Sequence, residues 1–224
     1  MAALTENEIL DIVYALYETD DAGWSATDDE YLAARKYANV AINRWEHYDN
    51  TEWRGLWTKL TDASDGDKTT DATTQYDCPS DFIRPGSWVR IGTTHYSVYP
   101  PEKLAKYSNA THNYCYFTGN IKDGFKLNFN SNLTITTGDT IYYEYYKSAT
   151  TFASTTDTTE MSDPYFIVYF ILARFIKNDG EDNYEELSEA DERLEQMRVT
   201  NMSGYYDVSN NVESTLDNFY GFEK

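Results

Sequence analysis

Several features common in enzymes and DNA-binding proteins are scarce in this sequence of 224 residues. Only 18 residues are Lys or Arg, against 38 Asp or Glu, so the formal net charge is −20. Because affinity for phosphates comes from Lys and Arg, this balance argues against a nucleic-acid-binding protein. His47, His95 and His112 lack metal-ligand spacing, and no nucleophile or phosphate-loop motif is present. We therefore expect no enzyme activity, no metal and no cofactor.

Cysteines and long apolar runs are also scarce. Cys78 and Cys115 stand in a chain long enough to bury a core without staples, which favours reduced thiols in strands over a disulfide. The longest apolar run, Tyr165 to Ala173, is much shorter than the roughly 20 residues that a membrane helix needs. Residues 1–6 have neither the basic nor the apolar region of a signal peptide, so we expect no secretion signal. Aromatic residues make up 16% of the chain, which indicates a folded protein rather than an acidic disordered tail.

Composition divides the chain into three stretches. Threonine occurs five times in residues 1–60, 19 times in 61–160 and twice in 161–224. Four of the five prolines also lie in the middle stretch. Threonine with Gly and Pro punctuation is typical of short strands and turns. We therefore predict a helical body from 1–60 and 161–200, with a β-rich insertion over 61–160.

Helix signals mark the first stretch. Thr5 and Glu8 have the spacing of a capping box, and apolar residues follow at helical intervals up to Leu16. A second capping box, Thr27 with Glu30, is expected to open a longer helix. The predicted buried face of that helix is Tyr31, Ala34, Ala38, Ala41, Ile42 and Trp45. The helical spacing is expected to continue through Trp53, Leu56, Trp57 and Leu60.

The most apolar segment lies in the third stretch. Ser162-Asp163-Pro164 is a strong helix start, and the residues from Tyr165 to Ile176 are apolar apart from Arg174. A helix that is apolar on all sides is enclosed on all sides, so this segment is predicted to be the central helix, ending near Gly180. A last helix is expected over about 182–200, with an acidic outer side formed by Glu185, Glu186, Glu189, Glu192 and Glu195.

The middle stretch contains several segments in which apolar and polar residues alternate, as they do in strands. The predicted strands are Ser87–Ile91, His95–Tyr99, Tyr114–Thr118, Phe125–Asn128 and Thr140–Tyr146, with hairpin turns at Asn120–Gly124 and Thr136–Asp139. Residues 61–75 are expected to form an acidic surface loop. The acids around Gly66 in that loop do not make a calcium site, because Ala72 stands where a bidentate Glu is needed.

The predicted fold class is therefore α+β: a bundle of N-terminal and C-terminal helices, an antiparallel β insertion, and an extended C-terminal arm over 201–224. The apolar residues of this arm do not recur with the period of a helix or a strand. The arm nevertheless keeps more large apolar side chains than a solvated tail usually does, at Tyr205, Tyr206, Leu216, Phe219, Tyr220 and Phe222.

Several motifs follow one another in a set order. A helix pair ends near Ile42-Asn43-Arg44-Trp45, and Tyr76-Asp77-Cys78-Pro79-Ser80-Asp81-Phe82-Ile83 enters the β part. The last strand, 140–146, precedes a Thr-rich loop, and Glu160-Met161-Ser162-Asp163-Pro164-Tyr165-Phe166 opens the apolar helix. In this order the motifs resemble the head-to-tail adaptor (connector) proteins of tailed bacteriophages, of the tail tubular protein A or gatekeeper-ring type. Asp163-Pro164 departs from the bare Pro usual in that family, and the acidic loop is longer.

The resemblance implies a structural virion protein. Adaptors of this family form an oligomeric ring, commonly a dodecamer, below the portal protein, and they connect the capsid to the tail. DNA passes through the ring during ejection without specific binding. The other neighbours would be tail tube or nozzle proteins, or tail-fibre proteins. The chain would be made in the host cytoplasm and reside at the head–tail interface of the virion.

The resemblance also assigns expected roles to residues. The arm would dock into the portal, which makes Tyr205, Tyr206, Leu216, Phe219, Tyr220 and Phe222 the candidate portal contacts. An acidic channel lining would repel phosphates over a Debye length of about 8 Å. Glu185, Glu186, Glu189, Glu192 and Glu195 are therefore the candidates for that lining. The alternative, that the net charge of −20 serves only to keep the protein soluble, stays equally open.

Two other functions also stay open. Tyr-rich strands are compatible with a virion carbohydrate- or receptor-binding module. The carboxylates are compatible with a hydrolase that acts on cell-surface polymers, but among 38 acids some pair lies at any chosen distance. The series Trp45, Trp53 and Trp57 favours core packing over a sugar platform because its spacing is helical.

Overall fold

The structure is a computed structural model that describes residues 3–18, 23–60, 70–71, 73–100, 103–104, 112–130 and 135–217, with the backbone alone for 203–217. Most of the expected acidic loop, including the acids around Gly66, therefore lies outside the described residues. The chain divides into two compact units. A helical unit comprises Met1–Gly55 and Ala149–Lys224, and a β-rich unit comprises Leu56–Ser148.

The described part of the helical unit contains four α-helices: α1 (Glu6–Tyr17), α2 (Asp29–Glu46), α3 (Tyr165–Asn178) and α4 (Tyr184–Asp217). Helix α3 contacts the other three. Its buried residues are Phe166, Ile167, Val168, Phe170, Ile171, Leu172, Ala173 and Phe175. The predicted central helix is therefore confirmed, and Gly180, with φ at 84°, follows its end.

The two N-terminal helices begin differently. The capping box of α1 is confirmed, since Thr5 Oγ1 accepts from Glu8 N at 3.3 Å and Glu8 Oε2 accepts from Thr5 N at 2.7 Å. The capping box expected at Thr27 and Glu30 is wrong, because Asp28 is the N-cap residue of α2. The predicted buried face of α2 is confirmed in full, from Tyr31 to Trp45.

A buried ion pair joins α1 and α2. Glu6 is fully buried, and Arg35 Nε donates to its Oε1 at 2.6 Å. This hydrogen bond is the main reason that the pKa of Arg35 is raised. A charge removed from water is tolerated when an opposite charge meets it with good geometry, so the partly exposed Arg35 compensates the buried carboxylate of Glu6.

The β-rich unit is one seven-stranded sheet. Its strands are β1 (Trp57–Lys59), β2 (Gln75–Asp77), β3 (Phe82–Ile91), β4 (Thr94–Val98), β5 (Tyr114–Asn120), β6 (Gly124–Phe129) and β7 (Ile141–Lys147), in the order β1-β7-β3-β4-β5-β6-β2. One face of the sheet carries the core of this unit, which includes Phe82, Val89, Cys115, Leu127, Ile141, Tyr143 and Tyr145.

Three expectations for this region are corrected. The sheet is not purely antiparallel, because β4 and β5 pair in parallel, and the intervening stretch 99–113 is long enough for the crossover that parallel strands need. Thr136–Asp139 does not close a hairpin, since β7 pairs with β3 and β1 instead of β6. Trp57 is not helical: β1 pairs with β7, which places Trp57 opposite Tyr146.

The last helix also differs from expectation. Helix α4 was expected to end near Thr200 and give way to an extended arm, but it continues for 34 residues to Asp217. Between residues 201 and 217 there is no proline and one glycine, Gly204. Adding a residue to an existing helix costs little once its first turn has formed, so the helix propagates without an apolar stripe to signal it.

Candidate functional site

The first half of α4 carries the five glutamates proposed to line a channel, and their environments differ. Glu185 and Glu192 are exposed and lie two turns apart on one side of the helix, whereas Glu186, Glu189 and Glu195 are half-buried. Glu189 Oε1 lies 2.7 Å from the Arg193 guanidinium, which also pairs with Asp163 at 2.9 Å. The exposed acidic character of α4 therefore rests on Glu185 and Glu192 more than on the other three.

Glu195 belongs to a structural cluster with Tyr48 and Arg198. The Arg198 guanidinium donates two hydrogen bonds to its carboxylate, at 2.5 and 2.8 Å, and the Tyr48 hydroxyl donates a third at 3.3 Å. The hydrogen bond from Arg198 is the main reason that the pKa of Glu195 is lowered. Burial, followed by the nearby Glu195 charge, raises the pKa of Tyr48. These contacts hold α4 against residues 48–54.

Asn201 anchors the next turn of α4. Its Oδ1 accepts from Arg54 N at 2.9 Å, and its Nδ2 donates to Glu52 O at 2.7 Å. Beside this anchor lies a cavity of about 520 Å³, lined by Asp49, Asn50, Thr51, Glu52, Arg198, Asn201 and Met202. Asp49 and Asn50 have φ angles of 47° and 52°, a left-handed conformation that costs free energy in residues other than Gly. The hydrogen bonds of Asn201 to Glu52 and Arg54 thus mark where the C-terminal half of α4 begins.

The six candidate portal contacts lie beyond that point. Tyr205, Tyr206 and Leu216 belong to α4, which replaces the extended conformation expected for them with a helical one. Their side chains lie outside the description, as do Phe219, Tyr220 and Phe222 entirely. Their expected role in portal contact therefore stays a prediction.

The β-rich unit presents a second surface that the sequence did not indicate. Residues paired across antiparallel strands share a face, and Trp57 and Arg84 both pair with Tyr146, while His95 and Tyr142 both pair with Arg90. Together with their alternating neighbours they form what we name the basic sheet face: Trp57, Lys59, Arg84, Trp88, Arg90, His95, Tyr142, Glu144 and Tyr146. It lies opposite the core and carries three cationic side chains and one carboxylate.

Stacking on aromatic rings orients the two arginines of this face. The Arg84 guanidinium carbon lies 4.7 Å from the centre of the Tyr146 ring and 5.5 Å from that of Trp57. The Arg90 guanidinium carbon lies 4.4 Å above Tyr142. Cation–π contacts of this kind hold a guanidinium flat on a ring, which restricts where its N–H groups point.

A shallow cavity of about 350 Å³ opens on the same face, lined by Lys59, Trp88, Arg90, Tyr142, Tyr143 and Glu144. Trp88 is 38% exposed, and within the described part of the chain Arg90 Nε is buried without a hydrogen-bond partner. The surface therefore offers the exposed Trp88 ring to a partner, with the half-buried Arg90 side chain beside it. The residues that β3 and β7 contribute to this face all have even numbers, which is the alternation expected for one side of a strand. The sequence does not show how the two strands align, because their pairing register is irregular between Pro85 and Val89.

The remaining candidates for chemistry are dispersed. His47 is exposed at the end of α2, His95 lies on the basic sheet face, and His112 contacts Tyr99 through a 3.1 Å hydrogen bond. Within the described ranges, no group of three or more His, Cys, Asp or Glu side chains is arranged to hold a metal ion. Cys78 and Cys115 are thiols without a disulfide, and burial raises the pKa of Cys115 well above its usual range.

Comparison with the models of known protein families gives no match, and comparison with curated proteins gives none either. Among the described residues, no helix combines the length and apolar character needed to cross a bilayer.

Proposed function

We propose that this chain is a head-to-tail adaptor of a tailed bacteriophage, a structural virion protein that forms a ring below the portal and connects the capsid to the tail. The observation that carries the proposal is the length of α4. It has 34 residues and is about 51 Å long at roughly 1.5 Å per residue, whereas a small domain is only about 30 Å across. A helix of this length, anchored through Asn201, is suited to reach another subunit or protein.

The order of elements gives further support. Two helices precede an inserted β-rich unit, and the buried helix α3 and the long helix α4 follow it, as the resemblance implies. In this proposal the segment after Asn201 contacts the portal through Tyr205, Tyr206, Leu216, Phe219, Tyr220 and Phe222. Tail tube, nozzle or tail-fibre proteins contact other surfaces of the ring, which resides at the head–tail interface.

The charge of the helical unit supports passage of DNA without binding. This unit contains 28 acidic and nine basic residues, a net charge of −19. Exposed carboxylates repel the phosphates of DNA within a Debye length of about 8 Å. We propose Glu185 and Glu192 as the main channel-lining residues, because Glu189 and Glu195 also hold arginines of α4.

Assembly with the portal protein of the same phage tests the proposal. The full chain and a variant lacking Ser214–Lys224 are mixed with portal and observed by electron microscopy and native mass spectrometry. We expect the full chain to form a closed ring on the portal, and the shortened chain to lose attachment while its melting temperature is nearly unchanged. A full chain that stays monomeric beside portal would contradict the proposal.

A matched pair of full-length variants separates side-chain contacts from chain length. Replacing Leu216, Phe219, Tyr220 and Phe222 by Ser removes the apolar groups, and we expect it to abolish attachment. Replacing Asp217 and Glu223 by Asn and Gln leaves the aromatic groups in place, and we expect attachment to persist. Equal attachment of both variants would show that these apolar side chains are not the portal contacts.

A second candidate function is a virion module that binds a carbohydrate or receptor. The observation that favours it is the exposed Trp88 ring beside the 350 Å³ cavity, because a flat aromatic ring with flanking polar groups suits a sugar. Glycan-array binding by the full chain that disappears in Trp88→Ala would support this function, and an absence of binding would dismiss it.

A further inference from the structure

The charge of this chain is divided very unequally between its two units. The helical unit holds 28 of the 38 acidic residues but nine of the 18 basic ones, for a net charge of −19. The β-rich unit holds ten acidic and nine basic residues, for a net charge of −1. Copies of this chain therefore repel one another overall, and a contact between surfaces of opposite charge offsets part of that repulsion.

The basic sheet face is such a surface. Lys59, Arg84 and Arg90 outnumber its one carboxylate, Glu144, and Lys59 is exposed to solvent. Trp, Tyr and Arg, which dominate this face, are also the residue types that dominate the energetics of protein–protein contacts. Because the arginines already lie on Tyr146 and Tyr142, binding an acidic partner costs them little rotational freedom.

We propose that the basic sheet face of one copy receives the acidic helical unit of a second copy of this chain. Such a contact joins two different surfaces, and repetition of a contact of this type produces a ring if the rotation closes. The inference rests on the proposed ring, and it names the surface through which neighbouring subunits recognise each other.

Two charge variants of the full chain and one control test the contact. Arg84→Glu with Arg90→Glu reverses both stacked cations. Lys59→Glu with Ser97→Glu places acids at two exposed positions and leaves the stacked arginines intact, which guards against a failure to fold. Ile121→Glu with Lys122→Glu changes the net charge as much as the second variant, but in the exposed turn of the β5–β6 hairpin.

Ring assembly, alone and on portal, is measured by sedimentation velocity and native mass spectrometry. We expect both face variants to assemble at least about tenfold more weakly, and the hairpin control to stay within about twofold of the unmodified chain. We also expect assembly of the unmodified chain to weaken when salt rises from about 0.1 M to about 1 M, because the Debye length falls from roughly 10 Å to 3 Å.

The alternative outcomes are distinct. If the unmodified chain forms rings and the face variants form them equally well, this inference is overturned while the adaptor proposal stands. Binding of an acidic polysaccharide to the face, with assembly unaffected by the variants, overturns it in favour of a glycan site. If the unmodified chain forms no ring even with portal, both the adaptor proposal and this inference are wrong.

Discussion

Truncation of Phe170 to Ala tests whether α3 is the enclosed centre of the helical unit. The Phe170 side chain is 1% exposed, and its ring centre lies 6.0 Å from that of Phe166. The guanidinium carbons of Arg44 and Arg174 lie 5.8 and 4.9 Å from the same ring. Removing a buried Phe ring lowers the free energy of unfolding by about 3–5 kcal/mol. Loss of the cation–π contacts places the expected value near the upper end of that range.

The matched control is Tyr184→Ala, which truncates an aromatic residue that is 76% exposed in α4. Substitutions at exposed positions usually change stability by less than about 0.5 kcal/mol. Urea unfolding is followed by circular dichroism of the helices. With a slope of about 2 kcal/mol per M, Phe170→Ala should lower the urea midpoint by roughly 1.5–2.5 M, and Tyr184→Ala by roughly 0.25 M at most. A loss below about 1 kcal/mol in Phe170→Ala would refute the central position of α3.

Three further predictions concern local features. Arg35→Met leaves the buried Glu6 carboxylate without its partner, so the free energy of unfolding should fall by about 3 kcal/mol in urea titration; an unchanged midpoint would contradict the ion pair. Gly119→Ala should cost more than Gly124→Ala, because a Cβ at Gly119 would lie 2.1 Å from a backbone oxygen while the other meets no atom within 4 Å; equal midpoints would be the wrong result. A hydrogen bond to a carboxylate raises the pKa of Tyr17 from 10 to about 12. The stability that Tyr17 contributes is therefore complete below pH 10 and is lost as pH rises toward 12, and Tyr17→Phe should flatten that part of the stability profile.

The helices could be predicted from the sequence because the residue patterns that indicate them are local. Each of the six buried residues of α2 lies three or four positions from another of them, which defines one face whatever the helix packs against. The start of α3 directly after Pro164 and its end shortly before Gly180 are likewise favoured by the backbone preferences of those residues. A helix whose buried face and ends are encoded within about 20 residues needs no knowledge of the rest of the chain.

The sheet order was not accessible, because strand pairing is not local. Alternation of apolar and polar residues is the same whether a strand pairs in parallel or antiparallel, so β4 and β5 gave no sign of their parallel pairing. Likewise, β7 lies between β1 and β3, partners that lie far earlier in the chain. The basic sheet face was missed for the same reason, since it exists only after β1, β7, β3 and β4 come together.

The extent of α4 was missed for a different reason. Asn201 and Gly204 were local features compatible with a helix end, but a single Gly costs a helix only about 1 kcal/mol. The five glutamates of α4 share one helix face in a sequence pattern, but the pattern does not show which of them meets an arginine. The ion pairs of Glu189 and Glu195 depend on where Arg193 and Arg198 point.

The unequal division of charge has a consequence for how copies of this chain meet in solution. At very low ionic strength, the field of the −19 helical unit extends tens of ångströms and keeps other copies away before any local attraction acts. At very high ionic strength, the attraction between a cationic strand surface and its acidic neighbour is itself screened. Association should therefore be strongest at intermediate ionic strength. At a fixed protein concentration, either removing the salt or raising it to a very high level would separate the subunits.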